Sequence, residues 1–253
     1  MEEELISVFS SLWESYFPGE ALPVTFGITP DPRGAEVVRP REGRRCFVCD
    51  LAAVRSGRDR AFSATSVTCA GGKRYCGFTR EIFPAFRYFL STGQDGGVEG
   101  ERYKKSPELV DAWSGGFEPI PSAGQYLLFR RWDHLTAEDN PAVVIFFARP
   151  EVLSGLFTLA NFDRADPYGV ITPMGAGCST IVHYPYLEEQ SADPRAVIGM
   201  MDPSARPCVP VDVLTCAVPM KKFIRMVRDM KESFLITHTW EMVQKKMALS
   251  RAR

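Results

Sequence analysis

The chain has 253 residues, 45% hydrophobic and 24% charged, an ordinary balance for a globular protein and enough length to bury a substantial core. Its 30 basic and 31 acidic residues leave a net charge of -1, which argues against a surface built to hold nucleic-acid backbone. No apolar run reaches the roughly 18–20 residues of a membrane-spanning helix. The opening Met1-Glu2-Glu3-Glu4 has the wrong charge for a secretory leader, so a cytoplasmic protein is expected, with no membrane or nucleic-acid partner.

In chain order, residues 4–17 predict an amphipathic helix, with Leu5, Phe9, Leu12, Trp13 and Tyr16 on one face and Pro18-Gly19 as its stop. Leu22–Thr29 predicts a strand, followed by a turn at 30–34. Cys49–Arg55 predicts one or two helical turns before Gly57. Residues 62–68 suit a strand leading into Cys69, and Ala70-Gly71-Gly72-Lys73 suits a tight loop. The glycine-rich, charged stretch 93–106 reads as a mobile loop that could cover a site.

Strands are predicted at 125–131 and at Pro141–Ala148, the second followed by a helix that Pro150 opens and that runs to about Phe162. A short helix is expected at Gly175–Cys178 and a strand at Arg195–Met201. Val211–Val218 predicts a last strand, after which Pro219 opens a helix with Phe223, Val227, Met230 and Phe234 as its buried stripe. Strands and helices mix without strict alternation, which predicts an α+β (mixed α/β) fold. We expect a single domain over 1–253, with a possible division into a Cys-rich half (1–124) and a second half (125–253). The strand–Pro–helix pattern at 143–162 and 211–234 suggests two related halves.

Four of the seven cysteines lie between Cys46 and Cys76: Cys46-Phe-Val-Cys49, then Cys69 and Cys76 around Gly71-Gly72. In a reducing compartment such a cluster points to metal or redox chemistry rather than a disulfide frame. Four thiolates satisfy tetrahedral zinc or an iron–sulfur cluster, and a loop of glycines leaves backbone N–H groups free to stabilise the sulfur charge. The loose spacing of Cys69 and Cys76 favours iron–sulfur over zinc. Cys178 follows Gly175-Ala-Gly177, where small residues allow close approach and a helix start lowers a thiol pKa. It is the substitute ligand or a reactive thiol. No βαβ pattern frames Cys46–Cys49, which argues against a thioredoxin-like dithiol.

Elsewhere, Cys216 is expected in the core and Cys208, beside Pro207 and Pro210, in a loop. His183 follows Cys178 by five residues, while His134 and His238 have no companions at metal spacing. Asp202 and Arg206 pair an acid and a base across a turn. Arg39, Arg41, Arg44 and Arg45 are locally dense, with Glu36, Glu42 and Asp50 among them.

Cys46 with Leu51-Ala-Ala and Gly57-Arg58, then Cys69-Ala-Gly-Gly72 with Gly77-Phe78, resembles the prokaryotic domain-of-unknown-function family 169. So do Val144–Ala148 with Pro150 and Leu153-Ser-Gly-Leu156, then Gly177-Cys178, then Asp202-Pro-Ser-Ala-Arg206. The resemblance covers roughly residues 20–235. It implies a bacterial or archaeal cytoplasmic protein, often from anaerobes, and supplies no reaction. Cys46, Cys69 and Cys178 match the family pattern; Cys49 and Cys76 fit it less closely. This opens a second ligand set, Cys46, Cys69 and Cys178 with one further ligand.

The leading expectation is therefore a cysteine-ligated metal centre, a [4Fe–4S] cluster with zinc as the alternative, in an electron-transfer or accessory redox role. Its expected metal ligands are Cys46, Cys49, Cys69 and Cys76, with Cys178 in reserve and Gly71 and Gly72 giving close backbone approach. Its partner would be a redox protein or a small molecule. Two alternatives stand beside it. One is a metal-free site for a small anion held by Arg44, Arg45, Lys73 and Arg74. The other is thiol chemistry at Cys178 or Cys69.

Overall fold

The computed structural model describes residues 3–251 apart from positions 41, 44 and 123, so the readings for Arg41 and Arg44 fall outside the described residues. The fold is mixed α+β, with helices packed on both faces of one eight-stranded sheet of order β2-β3-β4-β1-β5-β8-β7-β6. The strands are β1 (Val24–Thr29), β2 (Glu36–Val37), β3 (Arg60–Phe62), β4 (Tyr126–Arg131), β5 (Val143–Ala148), β6 (Val170–Ile171), β7 (Ala196–Gly199) and β8 (Leu214–Pro219).

The six inner strands pair antiparallel, while each edge carries one parallel pair, β2 with β3 and β6 with β7. Read outward from the centre, both halves run first strand, fourth, third, second: β1-β4-β3-β2 on one side and β5-β8-β7-β6 on the other. The expected relatedness of the halves thus has a topological counterpart, in a different place. The repeated unit is a four-strand meander-and-crossover, whereas both strand–Pro–helix segments lie within the second set of four strands.

Alternation along the central strands sorts the core. Val144, Phe146 and Ala148 of β5 face one cluster, which includes Cys216 and Val218 of β8. Val143, Ile145 and Ala217 face the other. On the first face lie α1 (Glu3–Tyr16), α6 (Pro150–Ala160), α8 (Met220–Asp229) and α9 (His238–Arg251). Helix α1 buries Phe9, Leu12 and Trp13 at helical spacing. Phe9 meets Trp132 edge-on at 4.8 Å, and Trp13 stacks on Phe17 at 4.4 Å. Trp240 of α9 donates through Nε1 to the Tyr16 carbonyl at 2.8 Å, which satisfies one of the open carbonyls at the end of α1. Gly155 is required in α6, because a Cβ there would lie 2.5 Å from the Trp240 ring.

The second face carries α2 (Phe47–Arg55), α3 (Ala70–Tyr75) and the helical stretch 177–190, comprising a π-helical turn (Ser179–His183) and α7 (Tyr184–Gln190). Two short helices, α4 (Phe86–Phe89) and α5 (Pro107–Gly115), lie in the long β3–β4 connection. Among the described residues, no helix is long and apolar enough to cross a membrane.

Several local expectations change. The strand expected at 62–68 ends at Phe62, where Ser66 caps a turn through hydrogen bonds with the Ser63 backbone. The stretch expected as a mobile loop at 93–106 is folded back. Glu101, Arg102 and Lys104 donate backbone N–H bonds to the carbonyls of Phe89, Ser91 and Leu90, at 2.7, 3.1 and 3.0 Å.

Candidate cysteine centre

Helix α2 lies between the parallel strands β2 and β3, and Cys46 is its N-cap. A βαβ unit therefore does frame Cys46–Cys49, contrary to the sequence reading. It escaped notice because β2 is only two residues long and both are exposed. In the second half, the stretch 177–190 crosses between the parallel strands β6 and β7 in the same way, with Cys178 in its first turn. Cys46 and Cys178 thus start equivalent crossover helices. Gly177 lets those starts meet, because a Cβ there would lie 2.7 Å from Ala205 Cβ and 3.3 Å from Val48 Cγ2.

Cys69 is the N-cap of α3 and Cys76 its C-cap. The segment Ala70–Lys73, expected as a tight loop, is the first part of this helix, which puts its amides at the same service. Gly72 donates its N–H to Cys69 Sγ at 3.3 Å. A Cβ on Gly72 would sit 2.5 Å from that sulfur and 2.8 Å from Val67 Cγ1, so the expected close approach holds at Gly72. At Gly71 it does not, since the nearest group is Tyr75 at 4.0 Å.

Cys49 does not join Cys69 and Cys76. It is disulfide-bonded to Cys208, a residue expected to be a plain loop cysteine, across a sequence separation of 159. Cys46 remains a free thiol beside that bond. The sulfurs of Cys46, Cys49 and Cys208 all lie within 4.8 Å of one another, a grouping of a size that can hold a metal ion.

A second set of thiols stands behind this one. Cys46 is within electrostatic reach of Cys69, and Cys178 within reach of Cys76, Cys69 and Cys46. Six of the seven cysteines, from distant segments, therefore gather on one face of the sheet. The seventh, Cys216, packs in the opposite core, where burial pushes its thiol up to about 12.

Burial sets the protonation of the cluster. It drives Cys76 and Cys178 well above the ordinary thiol range, with the charge of Cys69 adding at Cys76 and those of Cys76, Cys69 and Cys46 adding at Cys178. Burial also raises Cys46, against the weaker pull of the nearby Val48 and Cys49 backbone N–H groups. Asp202 adds negative potential at both Cys46 and Cys178. Its carboxylate accepts from Gly177 N at 3.0 Å, and from Ser204 N and Oγ at 3.0 and 2.8 Å. The expected Asp202–Arg206 pairing is replaced by these bonds. Arg206 instead donates to the carbonyls of Val213, Val211 and Pro210 at 2.6, 2.8 and 3.0 Å.

Two cations of the anion-site reading, Arg45 and Arg74, have protein partners. Arg45 pairs with Asp50 at 2.7 Å. Arg74 lies over the Phe117 ring at 3.7 Å and donates to the Arg80 carbonyl at 2.7 Å. His183 stacks on Phe117 at 4.6 Å and bonds the Glu118 carbonyl through Nε2 at 2.6 Å. Burial lowers its pKa, leaving a neutral ring whose Nε2 donates.

The comparison with curated proteins and with solved structures returned no match. The model of one family, described as uncharacterised ArCR, matches residues 22–229, which takes in every cysteine of the cluster. This chain therefore belongs to the uncharacterised ArCR family, domain of unknown function 169.

Proposed function

We propose that the chain is a redox protein built around a [4Fe–4S] cluster held by Cys46, Cys69, Cys76 and Cys178. The observation that carries this reading is the gathering of these four free thiols, Cys46, Cys69 and Cys178 at the starts of three helices and Cys76 at the end of α3. This ligand set keeps three of the four cysteines expected from sequence and exchanges Cys49 for Cys178.

The spacing supports a cluster over a single ion for this set. Four sulfurs around one zinc stand only about 3.8 Å apart, given a Zn–S bond near 2.3 Å. Among the described residues, the 4.8 Å grouping comprises Cys46, Cys49 and Cys208, and the four free thiols spread wider than that. A cluster with its own sulfides is several ångströms across and suits the wider set.

When bound, the cluster supplies one-electron transfer. The chain does the rest. The N–H of Gly72 stabilises sulfur charge at Cys69, and Cys46 sits at the positive N-terminal end of α2. The apolar neighbours Val48, Val67, Ile181 and Met200 exclude water. The segment around Tyr103 lies within electrostatic reach of Asp202. Its partner would be a redox protein or a small molecule.

Anaerobic purification followed by iron, acid-labile sulfide and zinc analysis tests the reading. Matching iron and sulfide with broad absorbance near about 400 nm supports it. A colourless protein that binds neither iron nor sulfide on reconstitution overturns it. Stoichiometric zinc that is lost in Cys208→Ser would favour a single-ion site at Cys46, Cys49 and Cys208, the second reading that their 4.8 Å grouping supports.

A further inference from the structure

We propose that Cys46, Cys49 and Cys208 form a thiol–disulfide exchange site whose substrates are dithiols and disulfides of partner proteins. A free thiol sits beside a disulfide, with all three sulfurs within 4.8 Å. Cys46 and Cys49 are also one helical turn apart, with Cys49 N bonded to Cys46 O at 3.1 Å. Side chains at this spacing stand about 5–6 Å apart at Cβ against about 3.5–4.5 Å in a disulfide, a gap that a backbone shift of about 1–2 Å at the helix N-cap closes. Cys49 therefore has two alternative partners, Cys208 across the chain and Cys46 on its own helix.

The surroundings fit exchange. Cys46 is the N-cap residue of α2, where the positive end of the helix favours the charge that sits on its sulfur when it attacks or leaves. All three cysteines are partly exposed, unlike Cys76 and Cys178. Cys208 is itself partly exposed, at the end of a short turn (Arg206–Cys208). In a reducing compartment, where the sequence reading places the chain, disulfides are mostly of the exchanging kind.

The step balances within the protein. Cys46 gives its proton to water and its sulfur attacks Cys49 Sγ. The Cys46–Cys49 bond forms as the Cys49–Cys208 bond breaks, and Cys208 leaves as a thiolate that takes a proton from water. No net oxidation occurs. Turnover requires a partner dithiol, which gives two electrons and two protons to the Cys46–Cys49 disulfide and departs as a disulfide. Freed Cys208 then attacks a partner disulfide, forming a mixed disulfide as the partner's S–S bond breaks and one partner thiolate leaves; Cys49 gives up its proton to water and attacks Cys208 Sγ, which restores the Cys49–Cys208 bond and releases the second partner thiolate.

This inference shares only Cys46 with the cluster reading, so those two fail separately. The test uses the full chain after chelator treatment, with acid quenching, alkylation and disulfide mapping by mass spectrometry. In Cys208→Ser, oxidised glutathione is expected to produce a Cys46–Cys49 disulfide. In Cys46→Ser, iodoacetamide is expected to alkylate Cys208 about tenfold more slowly than in the unaltered chain, because no internal thiol opens the bond. Cys46 and Cys49 both remaining unbonded in Cys208→Ser would overturn the proposal. So would an unchanged Cys208 rate in a folded Cys46→Ser. Iron bound by Cys208→Ser, which keeps all four proposed cluster ligands, reports on the metal reading alone.

Discussion

Cys46 and Cys178 occupy equivalent positions in the two halves of the sheet, each at the start of a helix that crosses between two parallel edge-side strands. Helix starts present unpaired N–H groups and a partial positive charge. Bringing two of them together with the start of α3 makes one place in the fold suited to several sulfur charges at once. The two cysteines, more than a hundred residues apart in sequence, are within electrostatic reach of one another.

If the four free thiols hold a cluster, Cys69→Ser and Cys178→Ser should each abolish visible absorbance and bound iron. Cys216→Ser serves as the control, because Cys216 faces the opposite core. Its iron content should match the unaltered chain. Equal iron in Cys178→Ser and the unaltered chain would remove Cys178 from the ligand set.

Asp202 raises the thiol pKa of Cys46, a smaller effect than burial but of the same sign. Asp202→Asn is therefore expected to lower it, so that Cys46 alkylates a few-fold faster at a fixed pH below its titration. The midpoint of the pH–rate profile should move down. The same substitution weakens the acceptor of Gly177 N and should cost on the order of 1 kcal/mol of stability. A pH–rate profile unchanged in position would show that the carboxylate does not act on this thiol.

Gly72→Ala places a methyl group against the Cys69 sulfur and Val67, both closer than 3.0 Å to the new carbon. Overpacking of this kind is expected to cost roughly 1–3 kcal/mol, read as a fall in Tm. The strain falls on the Cys69 thiol, so metal content should fall with it. Gly71→Ala, with open space at 4.0 Å, is expected to be neutral or mildly stabilising.

Away from the cysteines, Lys222 is fully buried and reaches Asp163 at 2.9 Å. Burial opposes ionisation of Asp163, but the Lys222 hydrogen bond and charge, helped by Arg225, outweigh it and hold the carboxyl below its ordinary range. Such a group stabilises the fold above the unfolded pKa, near 3.9 for aspartate, and loses that contribution as pH falls through its lower folded value. Asp163→Asn strands a buried ammonium and should cost about 3–5 kcal/mol near neutral pH by chemical denaturation. The deficit against the unaltered chain should shrink as pH falls through that range. A deficit that stays constant would show that the pair does not titrate with folding.

Much of the fold could be read from local pattern. The helix at 4–17, the strands at 22–29, 125–131 and 141–148, and both proline-opened helices appear where their periodicity places them. These elements bury a regular face, and a regular face leaves a trace in sequence. The edge strands β2 and β6 are two residues each and leave none, so the βαβ frame of Cys46 was missed. Ala70–Tyr75 was missed as a helix because two adjacent glycines suggest a loop, whereas here Gly72 is small to admit a sulfur.

By itself the sequence determined the element types, the mixed α+β class and the concentration of chemistry in the cysteines, because these depend on composition and short-range periodicity. Only the tertiary structure decided which cysteines meet. Bonding of Cys49 to Cys208, and entry of Cys178 into the cluster, depend on crossovers that bring together segments over a hundred residues apart. Spacing along the chain holds no record of such contacts. They are set by strand order and by the shared face onto which both crossover helices pack.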